Sequence, residues 1–280
     1  MNYRHIYHAG NFADVFKHVV LAELLKTLLR KEKPFCYLET HAGIGRYDLQ
    51  TMEAQKTKEY LSGIVAVYQQ TEQLPVEVQA YLQIVKGLNK GAEQLLRYYP
   101  GSPCIAQSVL RAQDSMILAE LHPEDAVLLK KEFAADKRVS VHQMDGYNAL
   151  KAFLPPKERR GLVLIDPPFE QEHEVSRIEQ GLQTALRRWS SGIFVVWYPL
   201  KDQKLIQKLQ QKLNALGVAE ILYAELSIYP EDNPTGLNGS GLAILNPPWQ
   251  FDQQLQQFLP QLWQILSPQK TGKLSVTLKS

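Results

Sequence analysis

The chain has 280 residues, 45% of them hydrophobic and 21% charged, and its 31 lysines and arginines against 29 acids leave a net charge of +2. This is the composition of an ordinary globular protein with enough residues for a sizeable core, in one large domain or two small ones. It excludes a uniformly basic nucleic-acid coat, so a nucleic-acid partner would require the basic residues to cluster.

Cys36 and Cys104 form no CxxC pair, which argues against a zinc knuckle or a disulfide framework. No apolar run reaches membrane-spanning length. The first residues, "MNYRHIYHAGNFADVFKH", are polar and histidine-rich, with no signal-peptide core, so the expected location is the cytoplasm.

In chain order, residues 11–30 predict a helix. Val15, Val19, Val20, Leu21, Leu24, Leu25 and Leu28 fall on a broad apolar face, with Asn11 or Asp14 as the cap. "PFCYLET" (34–40) predicts a strand leading into "HAGIGRYDL". Residues 50–99 are rich in Gln, Glu and Lys with helical spacing, and read as a helical insertion subdomain. The rest, 1–49 and 100–280, reads as one core with an N-terminal helical segment.

"PGSP" (100–103) is a turn, with Ser102 as an N-cap and Pro103 at the first helical position. Strands and helices then alternate: "SMILAEL", "PEDAVLLKKEF", "VSVHQMD", "GYNALKAFL", "GLVLID", "VSRIEQGLQTALRRW", "GIFVVWYPL", "QKLIQKLQQKLNAL". Repeated βα units predict an α/β fold with a parallel sheet covered on both faces. The last two strands, "EILYAELSIY" and "GLAILN", have no helical pattern between them and predict an antiparallel hairpin.

Ligands of open α/β sheets bind beyond the carboxyl ends of the parallel strands. Those ends here carry Glu39 to Gly45, then Glu120, then Asp145–Gly146, then Asp166–Phe169. A glycine turn at Gly43 and Gly45 lets a ligand approach the backbone. The loop lacks the full GxGxxG fingerprint, because position 48 is Asp. Glu120 is placed to accept from both hydroxyls of a ribose; its competing role is an acid before the helix "HPED". Asp145 can accept from an adenine amino group while a neighbouring N–H donates, or it can belong to a plain Asp-Gly turn.

"YLETHAGIG", "AELHP", "MDG" and "LIDPPF" resemble the successive motifs of S-adenosylmethionine-dependent amino-methyltransferases, whose class I sheet is Rossmann-like. The chain as a whole, from "YRHIYHAGNFADVFKH" through "THAGIGRY", "RYYPGSP" and "RRGLVLIDPPF" to "GLAILNPPW", resembles the 23S ribosomal RNA adenine-N6 methyltransferase family of the RlmJ type. That resemblance implies cofactor contacts at His18, His41, Ser102, Glu120, Asp145, Gly146 and Asp166. It implies Asp166 as the catalytic acceptor, and Tyr3 and Lys17 near the substrate adenosine. The implied partner is 23S rRNA, protein-free or partly assembled, and the implied enzyme is a monomer that needs no metal. Phe169 stands where the family usually has Tyr, so the stacking face survives and any role for a hydroxyl does not. A DNA-acting protein, either a DNA adenine methyltransferase or a factor for using external DNA, is the competing reading.

The chemistry fits these residues. The adenine N6 lone pair is delocalised into the ring. A carboxylate (Asp166) and a backbone carbonyl (Pro167) can each accept one N6–H and localise that pair, while Phe169 sets the plane of the base. "NPPW" at 246–249 offers similar groups. Its strand is expected to run antiparallel, which predicts Asn246 as a polar cap on the far edge and Trp249 as packing. His5, His8, Asp14 and His18 match no metal-ligand spacing. Lys157, Arg159, Arg160, Arg187 and Arg188 are the candidate phosphate contacts.

Overall fold

The computed structural model describes residues 4–70, 73–90, 96–171, 173–230, 233 and 236–280. The first helix, α1 (Phe12–Leu29), begins at Asn11, whose side chain accepts from the Asp14 N–H. The βα series follows: β1 (Cys36–Glu39), β2 (Arg46–Asp48), α2 (Met52–Thr57), α3 (Ile64–Tyr68), α4 (Val76–Leu88), β3 (Tyr98–Pro100) and α5 (Ser102–Val109). It continues with β4 (Ser115–Glu120), α6 (Pro123–Glu132), β5 (Val139–Gln143), α7 (Gly146–Phe153), β6 (Gly161–Ile165), α8 (Glu174–Arg188), β7 (Ile193–Leu200) and α9 (Gln203–Asn214). The chain closes with β8 (Ile221–Ser227), β9 (Gly239–Leu245), α10 (Phe251–Leu266) and β10 (Leu274–Lys279).

Eight strands form one sheet in the order β10-β8-β9-β7-β6-β1-β4-β5. β5, β4, β1, β6 and β7 are mutually parallel, as the βα alternation requires. β9 runs antiparallel to both β7 and β8, so the expected terminal hairpin is present within an otherwise parallel arrangement. The Rossmann-like α/β class expected from the sequence is the class observed. β6 is buried throughout, which is why "GLVLI" reads as a continuous apolar run rather than an alternating one.

Helices cover both faces. One core joins α1, α4, α5 and α10 to the sheet, and the other joins α7, α8 and α9. β2 and β3 pair with each other outside the main sheet and bracket α2 to α4. Ile64, Val67, Val78 and Tyr81 from those helices enter the same core as α1.

Three sequence expectations change. α1 is buried on every side, not on one face, with only Lys26, Thr27 and Leu29 of its eighteen residues outside the buried set. Ser102 does not cap α5: Gly101 holds that position, and the serine hydroxyl turns elsewhere. The chain also continues past β9 into α10 and β10, the latter pairing antiparallel with β8 as an edge strand. No helix among the described residues is long and apolar enough to cross a membrane.

Candidate active site

A cavity of about 480 Å³ opens at the carboxyl edge of the parallel strands. The β1 loop contributes His41, Ala42 and Gly43; the end of β4 contributes Glu120; and the turn after β6 contributes Asp166, Pro167 and Pro168. α1 forms the opposite wall with Asp14, Lys17 and His18. Gly43 sits at φ +62°, and a Cβ there would meet the Tyr47 hydroxyl at 2.3 Å. The turn therefore needs glycine on both conformational and steric grounds. Its N–H donates to Glu120 Oε2 at 2.8 Å, and the His122 N–H donates to Oε1 at 2.8 Å. Two backbone donors thus fix the Glu120 carboxylate at the cavity wall.

Across the cavity, Lys17 Nζ lies 2.6 Å from Asp166 Oδ2 and 3.0 Å from Asp14 Oδ1. Burial alone would lower the pKa of this ammonium. The Asp166 and Asp14 carboxylates outweigh that and hold it well above the ordinary lysine value. Asp14 in turn accepts from the Gly10 N–H at 2.9 Å and from His5 Nε2 at 2.9 Å. Burial opposes its ionised form, yet the surrounding cations hold its pKa well below the usual carboxylate range. The result is a buried chain of alternating charge from α1 to the turn after β6, in which one Asp166 oxygen is occupied by lysine.

The two histidines implied by resemblance are both in the wall, and burial keeps both neutral. His18 is pushed down to about 3, with Nδ1 2.8 Å from the Tyr99 hydroxyl. His41 is pushed down to about 4, with Nδ1 2.8 Å from Thr40 Oγ1. Ser102 donates to Glu39 Oε1 at 2.5 Å, and the Tyr37 hydroxyl donates to Oε2 at 2.8 Å. Glu39 is fully buried behind the β1 loop, and desolvation pushes its pKa up to about 8.

Not every expected residue lines the cavity. Asp145 is the N-cap of α7, accepting from the Tyr147 and Asn148 N–H groups at 3.0 and 3.1 Å, and Arg177 pairs with its other oxygen at 2.5 Å. Gly146 packs behind the β1 loop, where a Cβ would sit 2.2 Å from the Thr40 carbonyl oxygen. Phe169 adopts φ +52° and is buried, with its ring edge-on to Trp197 at 5.9 Å; it stands outside the cavity wall. Tyr3 lies outside the described residues.

Trp197, Pro199 and Lys201, from the end of β7, line the cavity and were missed from sequence. The strand-end rule that found the first four ends applies equally to "VVWYPLK". His5, His8 and His18 have separate partners in Asp14, Glu59 and Tyr99. Among the described residues no group of three or more His, Cys, Asp or Glu is placed to hold a metal ion.

The second proline motif is remote from the site. Asn246 follows the antiparallel β9, and its amide donates to the Ser190 and Gly192 carbonyl oxygens, 2.8 Å each, at the amino end of β7. It is the far-edge polar cap expected. Trp249 corrects the sequence reading: it is 83% exposed and packs no core. The expected phosphate contacts also lie on that far edge, in the loop before β6 and at the end of α8. Arg160 donates to the Leu28 and Lys33 carbonyls and Arg188 to the Leu154 carbonyl at 2.6 Å, so these two arginines tie loops together.

Comparison with known proteins decides the family. Residues 32–279 match the family model described as ribosomal RNA large subunit methyltransferase D, RlmJ. The chain is 45% identical to ribosomal RNA large subunit methyltransferase J of Escherichia coli K12, over 99% of this chain and 98% of that one. The corresponding Haemophilus influenzae protein is 42% identical over 99% and 98%. The crystal structure of protein LPL1258 from Legionella pneumophila superposes with a TM-score of 0.88 at 37% identity, covering 98% of both chains.

The chain belongs to the RlmJ family. As a member of it, the protein is a methyltransferase, and the family's methyl donor is S-adenosylmethionine. The residues of this RlmJ-family site fit that group. The cavity volume lies within the range of small-molecule and cofactor sites. Glu120 is held rigidly as an acceptor. Burial keeps His18 and His41 neutral, and the Lys17 ammonium between them and the turn after β6 is paired with two carboxylates, so a positively charged sulfonium placed among these groups faces no uncompensated charge from them.

Proposed function

We propose that the protein methylates the exocyclic N6 of an adenine in large-subunit ribosomal RNA, acting as a monomer in the cytoplasm on protein-free or partly assembled rRNA. The observation that carries this reading is the Asp166-Pro167-Pro168 turn at the cavity wall, with one Asp166 oxygen fixed by Lys17. The names of the relatives supply the RNA class.

S-adenosylmethionine supplies an activated methyl group. Everything else falls to the chain. The Asp166 oxygen not held by lysine accepts one N6–H, and the Pro167 carbonyl oxygen accepts the other. Together they draw the nitrogen lone pair out of the ring. Both prolines have φ fixed, so the turn needs little reorganisation as the acceptors engage. Positioning of this kind is worth up to about 7–11 kcal/mol in favourable systems. The half-buried indole of Trp197, in the cavity wall, offers an aromatic surface for the base, with Phe169 edge-on to it. A base within a duplex cannot enter, so the target adenine is unpaired or flipped out. Glu120 takes the hydroxyls of the cofactor ribose, and Glu120→Ala is expected to weaken cofactor binding in calorimetry.

The test is transfer of labelled methyl groups to protein-free rRNA, to intact ribosomes and to DNA in parallel, followed by nucleoside analysis. N6-methyladenosine in large-subunit rRNA is expected. Label in DNA alone, or in a nucleoside other than adenosine, overturns the proposal.

A further inference from the structure

A second cavity, about 350 Å³, lies at the same carboxyl edge beside the candidate active site, between the start of α9, the end of β8 and the start of β10. Lys201 lines both cavities, so they are neighbours across a single residue. No feature of the methyl-transfer reading uses this second space.

Its wall carries two carboxylates and two ammonium groups, and they differ in how they are held. The two carboxylates in its wall are engaged locally. Glu225 accepts from the Tyr198 hydroxyl at 2.7 Å and from Gln210 at 3.0 Å, and Asp202 caps α9 through the Lys204 N–H at 2.9 Å. Its two ammonium groups, on Lys201 and Lys273, have no ion-pair partner among the described residues. Tyr229, 43% exposed, offers a ring at the rim, and the side-chain amides of Gln203 and Gln207 face the space from α9. Unpaired cations beside an exposed aromatic ring and free amides are the groups that single-stranded nucleic acid uses: phosphate on lysine, base on ring, base edge on amide.

Resting on the proposed RNA substrate, we propose that this cavity is a subsite for a nucleotide flanking the target adenine. Lys201 and Lys273 hold its phosphate, and Tyr229 stacks on its base. This places RNA contacts on the carboxyl edge, whereas the arginine clusters marked from sequence lie on the opposite edge.

The test uses the full-length protein and an rRNA fragment that the unaltered protein methylates, plus two truncations ending at the target adenine on its 5′ or 3′ side. Tyr229→Ala is expected to weaken binding of the complete fragment about tenfold. Lys273→Ala is expected to weaken it too, and to lower the slope of log K against log salt by about 0.7. Both variants should keep the melting temperature of the unaltered protein, and neither loss should appear with the truncation that removes the occupying nucleotide. Unchanged affinity in both variants, or equal losses on the complete and both truncated RNAs, overturns the subsite while leaving the proposed function standing. Absence of methyl transfer to any RNA by the unaltered protein overturns both.

Discussion

Asp166 and Asn246 each follow a strand and precede two prolines, in "LIDPP" and "AILNPP", and strand direction gives them opposite fates. Asp166→Ala is expected to lower kcat by at least about 10²-fold, or roughly 2.7 kcal/mol of transition-state stabilisation. Its circular dichroism should stay that of the native fold. Asn246→Ala should leave kcat unchanged and lower thermal stability by about 1–3 kcal/mol. It loses two hydrogen bonds and places a Cβ-bearing residue without a local acceptor at φ +54°. The reverse outcome, an active Asp166→Ala and an inactive but stable Asn246→Ala, means the wrong motif has been assigned. Lys17→Met carries a different signature. It strips Asp166 of its buried cation and leaves Asp14 with His5 and the Gly10 N–H alone, so denaturant unfolding should show a loss of about 3–5 kcal/mol together with the loss of activity.

Among the elements, α1 depends most on its surroundings. Leu24 is fully buried in it, and Leu24→Ala is expected to cost about 2–5 kcal/mol in chemical denaturation. A cost well below about 1 kcal/mol would mean the helix is loosely docked.

The sequence made the βα series legible because β1, β4 and β6 are short, largely apolar runs that end at an acid, and amphipathic helices such as α8 and α9 follow the later strands. α1 was found as a helix but mistaken for a one-faced one. Its polar residues, Asp14, Lys17 and Glu23, look like a solvent face until their partners are known, and those partners, Asp166 and Gln254, are remote in sequence. α10 has apolar residues at 251, 255, 258, 259, 262 and 266, a clear helical period, but Pro260 interrupts the run in a way that reads as a break. β10 alternates strictly, with Leu274, Val276 and Leu278 apolar, but six residues of an edge strand are a short signal beside the long helix before it. Within the site, Asp166, Glu120 and the Gly43 turn were readable from position alone. Trp197 was open to the same strand-end rule, whereas Asp14 was not, since an acid in a helix carries no local mark of facing a cavity.

At the scale of the whole molecule, stability should peak near neutral pH. His18 and His41 are held at about 3 and about 4 in the fold, below the ordinary 6.5. Below 6.5 the unfolded chain binds protons that the native state refuses, so stability falls as pH drops through that window. Glu39, raised from 4.5 to about 8, acts in the opposite sense. Its contribution is complete below 4.5 and is lost as pH rises through 8. Melting temperature measured against pH should decline on both sides. Glu39→Gln, which cannot ionise, should flatten the alkaline decline and leave the acid limb in place; an unaltered alkaline limb would show that Glu39 does not govern it.

α1 precedes in the chain every element it packs on, and part of its bed comes from the far end. It packs against β9 and α10, and its Glu23 accepts from Gln254, 231 positions downstream. Lys17 likewise waits for Asp166, 149 positions away. α4 and α5, closer in the chain, cover part of this eighteen-residue helix, but the part that lies on β9 and α10 stays uncovered until those elements exist. Nascent and prematurely terminated chains of this protein are, for that reason, natural clients for chaperones that hold exposed apolar segments.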